Sequence, residues 1–131
     1  MKKQIEKSDM EALPKIVAVD FDGTLVEDKY PAIGRVNDTI VSVVKKLQAQ
    51  GVEVILWSCR DGKHLDDAVQ FCRDELGIEF AAVNQNHPAV QKLFNNDTRK
   101  VYADLYIDDK AIELSTIMEV LIHGRWEYYG S

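Results

Sequence analysis

The residues best suited to chemistry are two acidic pairs far apart in the chain, Asp20 with Asp22 and Asp108 with Asp109. Each pair follows an apolar run, residues 15–19 in one case and 101–107 in the other. Brought together, four carboxylates would repel one another unless a cation sat among them. An array of hard oxygens with neither His nor Cys beside it suits Mg²⁺ rather than zinc. Two further apolar runs end in polar residues, one at Ser58 and one at Asn84. His64, His87 and His123 share no metal-ligand spacing, so each reads as structural or solvated.

The elements that would gather these residues can be read from periodicity. Residues 15–20, 52–57, 78–83 and 101–107 are short apolar runs that predict buried strands. A helix is expected over about 36–50, where Val36, Ile40, Val43, Val44 and Leu47 follow a 3.6-residue period. A second is expected over about 62–76, with Leu65, Ala68, Val69, Cys72 and Leu76 inward. Gly51 and Gly77 suit the left-handed positions that end them. Pro88 and the Asn95-Asn96-Asp97 cluster argue against one long element over 84–99, and Trp57 is expected in the core. A helix near 111–122 and a short strand near 126–129 are expected in the tail, while residues 1–14 read as loosely packed.

Strands alternating with helices, and apolar without polar alternation, predict an α/β fold with a parallel sheet covered on both faces. All strand ends of one polarity then share an edge, where ligands of open α/β sheets bind. Topology alone would therefore bring Asp20, Ser58, Asn84 and Asp108 side by side.

The run Asp-Phe-Asp-Gly-Thr-Leu at 20–25 is the most specific feature of the chain. It resembles the first motif, DxDG[TS], of the haloacid dehalogenase-like (HAD) phosphatases. Ser58 resembles that family's second motif, Lys100 its third and Asp108-Asp109 its acidic fourth, in register over about residues 15–110. The resemblance implies a three-layer Rossmann-like fold and a Mg²⁺-dependent phosphatase. Asp20 would be the nucleophile that forms an aspartyl-phosphate, and Asp22 the proton donor and acceptor. Ser58, Gly23, Thr24 and Lys100 would hold the phosphoryl group. Asp20, the Asp22 carbonyl, Asp108 and Asp109 would hold the metal. Arg60 is open to two readings, a substrate anion or an ion pair. Lys92 remains an alternative to Lys100. Asp104 reads as structural, and Tyr30, in the loop facing the site, could stack on a substrate ring. The likeness extends to a small capless group of uncharacterised bacterial hydrolases through residues 30–34, 56–58 and 103–109.

The length of 131 residues fits one domain, 1–131, and the stretches from Leu25 to the first helix and from Asn84 to Arg99 are too short to form a cap. The loop at 26–35 or a neighbouring copy of the chain would have to act as a partial lid. A net charge of −6 argues against nucleic acid as the first partner, and the resemblance implies a small phosphorylated metabolite as substrate. Two cysteines without CxxC spacing, and no apolar run of membrane length, suggest a cytosolic protein. Three other readings compete. A response-regulator receiver has its motifs in a different order from that seen here. A silent phosphate-binding protein and a nucleic-acid end phosphatase remain as alternatives.

Overall fold

The computed structural model describes residues 5–98 and 101–108. In chain order the elements are α1 (Lys7–Glu11), β1 (Ile16–Val19), α2 (Asp38–Ala49), β2 (Glu53–Leu56), α3 (Gly62–Phe71), β3 (Ala82–Val83), α4 (Pro88–Phe94) and β4 (Leu105–Ile107). A π-helical turn, Cys72–Leu76, extends α3. Among the described residues the strands form one sheet of order β3-β2-β1-β4 with every neighbouring pair parallel. The chain has the α/β architecture that its apolar runs predict.

β1 is central and wholly buried, with its four residues between 0 and 2 % exposed. It can be apolar at every position because both sheet faces are covered. On one face Val17, Val19, Val54 and Leu56 pack with Ile40, Val43, Val44 and Leu47 of α2 and with Ala68, Cys72 and Leu76. On the other, Ile16, Ile55 and Ala82 meet Val90 of α4, flanked by Leu13 and Tyr102. The inward residues of α2 are those its periodicity marks, except that Val36 precedes the helix and bridges to Val26.

Three expectations need correction. The third strand shrinks to Ala82–Val83, because Gly77 turns the chain at φ 69° and the ladder with β2 begins only where the Ala81 amide reaches the Val54 carbonyl. The fourth shrinks to Leu105–Ile107, because side chains engage the backbone ahead of it. The Tyr102 amide donates to Asn86 Oδ1, and Asp104 Oδ2 accepts from the Ile16 amide. Residues 84–99 hold no single long element, as expected, but within them residues 88–94 form a short helix that the sequence reading did not mark. Proline at the first helical position costs no hydrogen bond, and His87 Nδ1 caps the Ala89 amide at 3.0 Å. Trp57 is 39 % exposed and so does not belong to the core. The tail helix and strand fall outside the described residues. Among the described residues no helix is long and apolar enough to cross a membrane.

The two cysteines differ sharply. Cys59 is exposed, whereas Cys72, the first residue of the π-helical turn, is buried, and burial pushes its thiol up to about 12. Since the thiolate is the reactive form, a disulfide reagent at pH 8 should modify Cys59 rapidly and Cys72 only after denaturant is added. Two equally fast thiols in the native protein would contradict this packing.

Candidate active site at the carboxyl edge of the sheet

The register of β1 and β4 sets the centre of the site. Val19 pairs with Ile107, so the next residues, Asp20 and Asp108, leave neighbouring strands at the same level. The Asp20 amide donates to the Ile107 carbonyl at 2.9 Å, which continues the ladder to the last residue before the turn. Parallel strands lie about 4.8 Å apart, so the two aspartates project from adjacent positions on one edge. The edge is also where strand order turns, since β2 and β3 lie on one side of β1 and β4 on the other. Crevices at such points are the usual ligand sites of open α/β sheets.

After Asp20 the chain folds into a tight turn. The Phe21 carbonyl accepts from the amides of Thr24, Leu25 and Val26, and the Gly23 amide donates to the Val26 carbonyl at 2.8 Å. Gly23 has φ 81°, a conformation that costs other residues strain. Phe21 and Leu25 point into the core and pin the turn from below. Asp20 Oδ1 accepts from the Phe21 amide at 2.8 Å, which fixes the orientation of that carboxylate. Thr24 is buried, and its hydroxyl oxygen has no hydrogen-bond partner among the described residues.

Ser58 leaves the end of β2 in an ordered loop. Its amide donates to Asn84 Oδ1 at 2.7 Å, and its hydroxyl accepts from the Arg60 amide at 3.1 Å. A hydroxyl used as acceptor still has its own proton to donate. Asn84, at φ 53°, also donates from Nδ2 to the Arg60 carbonyl at 3.3 Å. It is therefore a clip between the ends of β2 and β3.

Arg60 is the residue that the sequence described least well. Neither a substrate contact nor a surface ion pair is what the structure contains. The residue is 2 % exposed, and all five of its side-chain N–H groups are used. Nε and Nη2 donate to the two oxygens of Asp22, each at 2.8 Å. Nη1 donates to the carbonyls of Pro31 and His64, at 3.2 and 3.3 Å, and Nη2 also to that of Ala32 at 2.8 Å. The guanidinium lies over the rings of Phe21 and Tyr30, 4.9 and 5.2 Å from their centroids. The bonds to Asp22 hold its pKa above the ordinary arginine value. With no N–H left over, Arg60 is a hub joining the acidic turn, the 27–35 loop and α3, and not a phosphate ligand. No local sequence signal marks this role, because its partners other than the His64 carbonyl are Asp22 and the carbonyls of Pro31 and Ala32, far away in the chain.

Asp104 is structural, as expected, for it joins the backbone of Ile16 on both sides. Lys92 is exposed on α4, and Lys100 and Asp109 lie outside the described residues. Among the described residues no three His, Cys, Asp or Glu side chains gather closely enough to hold a metal ion. The carboxylates that strand pairing brings to one level are two, Asp20 and Asp108. An apolar pocket of about 350 Å³ between α4 and the approach to β4, lined by Val90, Phe94, Val101 and Tyr102, contains none of the site residues.

Fold and edge together define an α/β protein with an acidic turn at the point where its parallel sheet reverses strand order. Residues 2–114 match the model of a family described as a protein of unknown function, DUF705, and the chain belongs to that family. No curated protein matches the chain. Among solved structures, a conserved protein coded by a locus from Bacteroides thetaiotaomicron is similar at 37% identity and a TM-score of 0.69. The match covers 91% of this chain and 100% of that one.

Removing one partner of a buried pair leaves the other's charge uncompensated. Arg60→Ala should therefore lower stability by roughly 3 kcal/mol or more, read as a lower urea midpoint at an unchanged slope. A midpoint equal to that of the wild type would show that the hub is dispensable.

Proposed function

We propose that this protein is a Mg²⁺-dependent phosphohydrolase of the HAD type, with Asp20 as nucleophile and a small phosphorylated metabolite as substrate. The observation that carries the reading is the pairing of Val19 with Ile107, which sets Asp20 and Asp108 at one level on adjacent strand ends. The strand order β3-β2-β1-β4 supports the Rossmann-like assignment, since it matches the first four positions of that fold's 3-2-1-4-5-6 order, with the reversal at the proposed site.

The donor set fits the metal. Mg²⁺ is commonly held by one or two carboxylates together with waters and substrate oxygens. Asp20 and Asp108 are such carboxylates, and the Asp22 carbonyl joins them by analogy with the first motif. Asp109 joins the set by its motif alone. When bound, the ion would neutralise charge on the phosphoryl oxygens. It would also reverse the local effect of an acidic edge on an anionic substrate.

The chain's own groups then have separable tasks. Asp20, oriented by the Phe21 amide, attacks phosphorus, and the bond to the leaving oxygen breaks as the aspartyl-phosphate forms. Water then attacks the same phosphorus, which frees inorganic phosphate and restores the carboxylate. Asp22 passes a proton to the leaving oxygen and takes one from the water. Ser58 donates its hydroxyl proton to a phosphoryl oxygen. Lys100 supplies positive charge by analogy with the third motif. Positioning and charge stabilisation of this sort are most of what phosphoryl transfer needs.

A second reading, phosphate binding without turnover, draws on the Asp22–Arg60 pair. A carboxylate already holding two guanidinium bonds is less available for proton transfer.

One experiment separates the two. The wild type should hydrolyse an aryl phosphate only with Mg²⁺ present, and activity should vanish on chelation. Asp20→Asn should cut kcat by about 10⁴-fold or more with the circular dichroism spectrum unchanged. Equal rates in Asp20→Asn and wild type would refute the nucleophile. A wild type that binds phosphate but never turns over would favour the second reading.

A further inference from the structure

The loop between Glu27 and Arg35 is short, but its backbone is heavily restrained. At its base the Glu27 amide donates to the Arg35 carbonyl at 2.8 Å, and Val26 bridges to Val36 in antiparallel fashion. Gly34 lets the two limbs approach, since a Cβ there would sit 2.1 Å from the Glu27 carbonyl oxygen. At its tip Asp28 Oδ1 accepts from the Tyr30 amide at 3.2 Å. The next two carbonyls, of Pro31 and Ala32, both accept from Arg60.

Tyr30 is thereby presented from a fixed frame. Its ring has the Arg60 guanidinium 5.2 Å from its centroid and the His64 ring edge-on at 5.5 Å, yet the residue remains 53 % exposed. The same guanidinium holds both oxygens of Asp22 at 2.8 Å. The exposed ring and the acidic turn are thus built on one side chain and separated by little more than its breadth. An exposed aromatic on a slack loop would mean little. One held by its own amide, by the carbonyls that follow it and by two ring contacts loses little freedom when a flat ligand settles on it, and that saving is what preorganisation contributes to affinity. A second aromatic, Trp57, is also exposed at this edge, one residue before Ser58. Solvent-facing aromatics beside a polar site are unfavourable in water and suit a flat partner.

We propose that Tyr30 is the specificity-determining residue of this site and that the preferred substrates carry a planar aromatic ring in the leaving group. The inference rests on the phosphohydrolase reading and gives it a substrate class. Two sources share this chemistry, a nucleobase joined to the phosphate through a sugar and an aryl group joined to it directly. Arg60 acts as a positioning residue for the ring and does not touch the substrate.

The test compares steady-state kinetics on phenyl phosphate, a panel of nucleoside monophosphates and glycerol 2-phosphate. The wild type should favour at least one of the ring-bearing classes over the ringless ester by about tenfold in kcat/KM, in line with what base–aromatic stacking contributes. Tyr30→Ala should raise KM for the favoured class by about tenfold, with kcat nearly unchanged and KM for glycerol 2-phosphate within about twofold. Tyr30→Phe should behave as wild type. The class that responds to the variant identifies the source of the ring. Equal efficiency on ringless and ring-bearing esters, or an equal loss on both in Tyr30→Ala, would overturn the substrate class and leave the phosphohydrolase reading intact. A wild type inactive on every ester with Mg²⁺ would remove both. Thermal melts within a few degrees of wild type exclude misfolding of the variants.

Discussion

Everything else in this molecule hangs on β1 being clasped by a parallel partner on each side. Its residues pair with Glu53–Leu56 on one flank, and from Val17 onward with Leu105–Ile107 on the other. A slip by one residue would turn Val17 and Val19 away from α2 and present Ile16 and Ala18 instead. Both faces are apolar, so face polarity alone would not forbid that. What forbids it is shape. The α2 face is built for Val17 and Val19, the α4 face for Ile16, and Asp104 locks the start of the strand by bonding Ile16 from both sides. Once register is fixed, the residues after β1, β2 and β4 emerge at one edge with no further instruction.

The edge is finished by polar links, and Arg60 is chief among them. Burying a guanidinium is costly, and an ion pair seldom repays its desolvation through Coulomb attraction alone. Here the cost is offset by five hydrogen bonds and two ring contacts. What the arrangement supplies is specificity of arrangement. One side chain fixes the acidic turn, the following loop and the start of α3 relative to one another. Asn84 does the same on a smaller scale between the ends of β2 and β3. A lysine could not replace Arg60, because a single ammonium cannot grip both oxygens of Asp22 and three carbonyls at once.

The parts legible in the sequence were those set by local pattern. Ile40, Val43, Val44 and Leu47 marked the buried face of α2, and four apolar runs marked the strands together with the edge they share. Boundaries were harder to read, because they depend on distant side chains. The approach to β4 is drawn off the ladder by Asn86, which also donates to Asp97 and Thr98. α4 was hidden because proline stops a helix from within but starts one from its first position. The burial of Arg60 was invisible, since an arginine near a serine looks like an anion ligand until Asp22, Pro31, Ala32 and His64 are seen around it. Trp57 was misjudged because strand end and apolar bulk both suggest burial, while its place beyond Leu56 carries it out of the sheet. Lys100 and Asp109 lie outside the described residues, so their roles rest on motif alone.

The account's central claim is that Asp20 and Asp108 share one divalent cation, and metal binding tests it more directly than turnover does. Mn²⁺ can stand in for Mg²⁺ and be followed by loss of its free-ion paramagnetic resonance signal as protein is added. One ion should bind per chain. Asp20→Asn and Asp108→Asn should each weaken binding by about tenfold or more, given that even outer-shell changes at metal sites cost 10–100-fold, while Asp104→Asn should not. Undiminished Mn²⁺ binding in both site variants would contradict the claim.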